Sequence, residues 1–245
     1  MMQKADKLCL QRPFVNGDSN LQEEHLIVEY WKQVLNDNER QGNPWYYGLL
    51  RDWWWGKTKE EFLEELPKHG WPRIWPCYNE NYDQLYGAIH YAGKKVLDIG
   101  ADVGSTADFF LRRGTTEVVA VEGSQEMYNE LAKNATKIPE IKPIFLYIDK
   151  PEHYEQLIKT HHPDVLHADC EGCEKHLFNV SDEVFSMVPE YMVETHGGDV
   201  YSAMLEKCKR NDYEIVNVLN YYDASINIVY AKKKFVRAIV TSDVE

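Results

Sequence analysis

The chain changes its hydrophobic rhythm near residue 92. Before that point apolar positions recur at helical spacing. Ile27, Val28, Trp31, Val34 and Leu35 line one face, and Thr58 with Glu61 forms a capping box ahead of Phe62, Leu63 and Leu66. Pro67 and Gly70 close that helix. Beyond residue 92, short apolar runs alternate with amphipathic stretches. The pattern predicts strands over 95–99, 117–121, 143–148, 164–168, 190–195, 214–219 and 226–232, with helices over 105–113, 124–136, 151–160, 173–180 and 199–210. Strict alternation implies a parallel sheet covered by helices on both faces. The last two strands are separated by only Asn220–Ser225. A parallel crossover needs a dozen or more residues, so these two strands must run antiparallel.

Composition sharpens the division. All seven tryptophans lie between Trp31 and Trp75, so residues 1–92 read as a helical, aromatic-rich extension or lid and 93–245 as the α/β domain. Most of those aromatic rings are expected to pack the extension against the sheet, and the stretch from Trp71 to Tyr82 is expected to reach the ligand pocket. No apolar run is long enough to span a bilayer. The net charge of −13 opposes binding to bulk nucleic acid, and the basic run Lys232–Lys234 reads as a solvated strand end. Five cysteines with no export signal point to reduced thiols and a cytoplasmic location. The Cys170/Cys173 pair reads as packing or free thiols, since zinc wants four ligands.

The chemistry gathers at the carboxyl ends of the strands, where open α/β sheets bind ligands. The first strand runs through Asp98 into Gly100, Ala101, Asp102 and Gly104; the second ends at Glu122 and Gly123; the third at Asp149; the fourth at Asp169 and Glu171; the fifth at Glu194 and His196. An acid at the second strand end can accept from both hydroxyls of a ribose. The dinucleotide fingerprint G-x-G-x-x-G is not met, because Asp102 and Ser105 occupy its second and third glycine positions. A pyrophosphate there would meet Asp98 and Asp102, whereas a ligand bearing an ammonium and a sulfonium would not.

Three segments together carry a family resemblance: Val96–Gly104, then His167-Ala168-Asp169-Cys170-Glu171-Gly172-Cys173-Glu174, then Val193-Glu194-Thr195-His196. They resemble the D-I-G-A-N-x-G, K-I-D-x-E-G-x-E and E-x-H motifs of the FkbM family of S-adenosylmethionine-dependent methyltransferases, over roughly residues 93–232. Asp102 stands for the usual Asn, and His167-Ala168 for Lys-Ile. The resemblance implies a class I methyltransferase, Rossmann-like fold: a seven-stranded, mostly parallel sheet with an antiparallel last strand. It implies S-adenosylmethionine as cofactor, held by Asp98, Gly100, Ala101, Asp102, Gly104, Glu122, Gly123, Asp149 and Asp169. It also implies O-methylation of a hydroxyl on a sugar, glycan or small metabolite. His196 is then the expected base, since its ordinary pKa lies nearest neutrality, with Asp169 and Glu171 beside it. The same three side chains suit a divalent metal in principle, but the sequence does not favour one. Two alternatives stay open: a binding or scaffold module on the same fold, and an RNA or protein N-methyltransferase, whose N/D-P-P-Y block and basic face are absent.

Overall fold

A computed structural model describes Ile74, residues 82–221 and residues 226–234. The readings placed on residues 1–73 and 75–81, including the two amphipathic helices, the tryptophan clusters and most of the stretch from Trp71 to Tyr82, lie outside the described residues. In chain order the elements are α1 (Tyr82–Tyr86), β1 (Lys95–Ile99), α2 (Ser105–Arg112), β2 (Glu117–Glu122), α3 (Gln125–Ala135), β3 (Ile141–Phe145) and α4 (Pro151–His161). Then follow β4 (Val165–Ala168), α5 (Glu174–Leu177), α6 (Asp182–Phe185), β5 (Glu190–His196), α7 (Gly198–Arg210), β6 (Tyr213–Tyr221) and β7 (Ile226–Lys233).

The seven strands form one sheet in the order β3-β2-β1-β4-β5-β7-β6. Strands β1 to β5 pair in parallel, while β7 runs antiparallel to both β5 and β6. This is the class I methyltransferase arrangement of the Rossmann-like α/β fold. The predicted antiparallel ending is present, with β7 inserted between β5 and β6. Strand β3 begins two residues earlier than expected and stops at Phe145. It lies at the sheet edge, where Pro143 is tolerated because an edge strand leaves one row of N–H groups unpaired. The predicted helix over 173–180 is shorter, and a further turn, α6, follows it with Ser181 as its cap.

Period-two alternation sends neighbouring strand residues to opposite cores. Leu97, Val119, Leu166, Tyr191 and Val193 face α4, α6 and α7. Val96, Val118, Val165 and Met192 face α1, α2 and α3. That second core also takes Ile74, Tyr82, Leu85, Tyr86, Ile89 and Tyr91. Residues 82–91 therefore pack as part of the α/β unit, although the composition change places them in the extension. Ile74 and Tyr82 also reach the first-strand turn. The Ile74 N–H lies 3.4 Å from Asp108 Oδ2, and the Tyr82 hydroxyl is 2.9 Å from Ser105 Oγ.

Candidate active site

The turn after β1 is built on left-handed backbone. Gly100 and Gly104 have φ of 83° and 95°, and Asp102 has φ of 51°. Asx residues tolerate that region better than other side chains, which explains why Asn or Asp suits this position. A Cβ on Gly100 would collide with the backbone carbonyl of Asp169. Glycine here thus lets the β1 turn touch the β4 turn, and close approach to a ligand is not what requires it. Gly104 likewise makes room for Leu131 and Ile74 side chains.

Asp98 does not open onto the turn. It is fully buried; one oxygen lies 2.7 Å from His167 Nδ1 and the other accepts from Thr106 Oγ1 at 2.7 Å. The rings of Tyr86 and Phe110 stand edge-on around His167. Asp98 therefore anchors the turn from beneath. The reason is parity: Asp98 shares the inward face of Val96, against α2.

Glu122 ends β2 and holds the turn in place. Its Oε2 accepts the Asp102 N–H at 2.9 Å, and its Oε1 accepts the Ser124 N–H at 2.6 Å. Burial pushes its carboxyl up, and those backbone donors partly offset this. Ala101 is buried, its N–H donated to the Val121 carbonyl. Beside Gly123 lies Tyr147, a residue 72% exposed. Asp149 is exposed and pairs with His153, one turn into α4, at 3.4 Å; it sits at the foot of α4.

The β4 and β5 ends meet in a second, strongly acidic cluster. One ligand atom each from Asp169, Glu171 and His196 lies within 4.8 Å of the other two. Tyr86 donates its hydroxyl to Asp169 Oδ2 at 3.2 Å. Glu171 has φ of 56° and a solvent-exposed side chain. His196 Nε2 is 3.5 Å from both Glu171 and Glu194, and its Nδ1 is 3.3 Å from Glu174. Glu174, fully buried, accepts the N–H groups of Cys170 and Gly172 at 2.8 and 2.9 Å. It appears in the D-x-E-G-x-E block, yet its part as the support of His196 needs the folded turn to be seen.

Neighbouring carboxylates and burial shift the titrating groups of this cluster. Glu174 against Nδ1 raises His196 to about 9, burial opposing and the other carboxylates adding to the rise. Burial and the neighbouring Asp169 push Glu194 up to about 8, and burial also raises Asp169.

Cys170 and Cys173 are joined in a disulfide, with Cα atoms 5.5 Å apart and the Tyr154 hydroxyl beside both sulfurs. This corrects the expectation of free thiols. Cysteine count and compartment say nothing of a turn that brings two cysteines three apart into bonding range. Cys208 is the free cysteine among the described residues, and it is buried.

No family model matches the chain. Over 103 residues it is 33% identical to uncharacterized protein 158B of Sulfolobus islandicus rod-shaped virus 1, a match covering 41% of this chain and 61% of that protein. Over 100 residues it is 28% identical to uncharacterized protein 65 of a Sulfolobus islandicus filamentous virus, covering 41% and 60%. The chain thus spans about three fifths of the length of these curated relatives. Among solved structures, Aeropyrum pernix fibrillarin with natively bound S-adenosyl-L-methionine superposes with a TM-score of 0.45 at 19% identity, over 58% of this chain and 68% of that one. A ribosomal protein L11 methylase from Lactobacillus delbrueckii gives 0.47 at 14%, over 64% and 81%. At those levels the strand order, and not the likeness, carries the fold.

Proposed function

We propose that this chain is an S-adenosylmethionine-dependent methyltransferase that methylates a hydroxyl of a small molecule or glycan. The observation that carries this reading is the shared sheet edge. Glu122 and the β1 turn lie on one side of the β1/β4 switch point, and Asp169, Glu171 and His196 lie on the other. The donor set fits the cofactor. The first half of the site is acidic and carries no lysine or arginine in residues 98–104 or 122–124, which suits an ammonium and a sulfonium and disfavours a pyrophosphate. The Glu122 oxygens accept backbone N–H groups of Asp102, Gly123 and Ser124, and a carboxylate with about four lone-pair sites still has room for a ribose hydroxyl. When bound, the cofactor supplies an electrophilic methyl group on sulfur.

The chain's own residues then position the acceptor. Alignment of a nucleophile with a reacting carbon can supply roughly 7–11 kcal/mol of a barrier. Gly100 against Asp169 fixes the two halves of the site in contact. Asp169, Glu171 and His196 offer hydrogen bonds to a hydroxyl, and their negative excess opposes a polyanionic acceptor. Titration calorimetry with S-adenosylhomocysteine tests the reading, with Glu122→Ala expected to weaken binding at least tenfold. Transfer of labelled methyl from S-adenosylmethionine to a panel of polyols, glycans and RNA tests the acceptor class. Absence of heat at millimolar ligand overturns the cofactor assignment, and labelling confined to RNA overturns the acceptor class.

A further inference from the structure

We propose that Asp169, Glu171 and His196, backed by Glu194, hold one hard divalent cation of the Mg²⁺/Mn²⁺ class at the acceptor end of the site. This deepens the methyl-transfer reading and depends on it only for the cation's purpose.

Three independent observations converge. The first is spacing. A point shared by three atoms no more than 4.8 Å apart lies within about 2.8 Å of each, against roughly 2.0–2.1 Å for Mg²⁺–oxygen bonds. Closing that gap takes less than an ångström per ligand, and the exposed Glu171 side chain is free to move by that much. The second is charge. Glu171, Glu174 and Glu194 all approach the single His196 ring within 3.5 Å, and Asp169 adjoins them. Among the described residues, no lysine or arginine pairs with any of these four carboxylates. Glu194 is more than nine-tenths buried and points one oxygen at His196, while its Oε2 has no hydrogen-bond partner. A buried carboxylate oxygen left bare is costly, and a cation in the cluster would satisfy it.

The third is the orientation of the imidazole. Its Nδ1 faces the buried Glu174, which is itself fixed by two backbone N–H groups, and its Nε2 faces the other carboxylates. A carboxylate behind one ring nitrogen, with the other turned toward the remaining ligands, is the way proteins orient a ligating histidine. The donor atoms are oxygens plus one imidazole, and the nearby thiols are tied in a disulfide. That set favours Mg²⁺ or Mn²⁺ over softer metals. Such a cation would draw an acceptor hydroxyl into place and lower its proton affinity.

The test uses the full chain freed of metal with EDTA and titrated with Mn²⁺, the free ion being followed by electron paramagnetic resonance. The expected result is uptake of one Mn²⁺ per chain, competed by Mg²⁺. Uptake should weaken at least tenfold in Glu171→Gln, a surface change that leaves folding intact, and in His196→Gln. No uptake up to millimolar Mn²⁺, or uptake unaltered by both substitutions, overturns the proposal. S-adenosylhomocysteine calorimetry in EDTA separates the two readings. Cofactor binding without Mn²⁺ uptake sinks the cation site alone, whereas site-dependent Mn²⁺ uptake without cofactor binding keeps it and sinks the methyl-transfer reading.

Discussion

Replacing Asp98 by Ala should cost far more stability than any change in the turn above it. Asp98 is fully buried, and each of its oxygens is engaged at 2.7 Å, one with His167 Nδ1 and one with Thr106 Oγ1. Removing one member of a buried pair costs roughly 3–5 kcal/mol, because the partner is left buried and unsatisfied. Counting bonds leads to the same range, since two hydrogen bonds to a charged group are worth about 1.5–3 kcal/mol each. His167 Nε2 already has no partner, so Asp98→Ala leaves the ring with none at either nitrogen. For a domain of this size the loss lowers Tm by roughly 6–20 °C. Thermal unfolding followed by circular dichroism, with urea titration for the free energy, measures it. Asp98→Asn should lose about half as much, because an amide of the same shape can serve both neighbours. The double change Asp98→Ala/His167→Leu should cost less than the sum of its parts, since it removes both polar groups together. A loss below about 1 kcal/mol for Asp98→Ala, or strict additivity in the double variant, would refute the idea that this pair anchors the turn.

Gly100→Ala should destabilise by about 2–5 kcal/mol, combining left-handed backbone with a collision against the Asp169 carbonyl. Gly93→Ala, with similar φ but open space around it, should lose only about 1–2 kcal/mol; equal losses in urea titrations would show that packing against Asp169 contributes nothing. Burial pushes the Cys208 thiol up to about 12. Because the thiolate is the reactive form, the native chain should resist labelling by a thiol reagent at pH 8, with the described region's free thiol reacting only after unfolding. Rapid native labelling of Cys208, read by mass spectrometry, would contradict its placement.

The sequence by itself determined the strands and the edge of the sheet where the chemistry gathers, while the short helices α1 and α6 were not foreseen. Alternating apolar runs placed all seven strands, because a strand buried on both faces can be little else, and the six-residue link before Ile226 settled the direction of the last hairpin. Strand ends are local features, so Glu122, Asp169, Glu171 and His196 could be named before any fold was seen. What needed the tertiary structure is everything set by parity and by contacts distant in sequence. Asp98 turned inward to meet His167, 69 residues away; Gly100 is glycine because of the carbonyl of Asp169. Glu174 and Glu194 converge on one imidazole, and a buried carboxylate differs from a solvated one only through neighbours that no local pattern reveals. The chain's linear order thus specified which groups stand at the sheet edge, and packing decided which of them are buried, which hold the turn, and which share a charge.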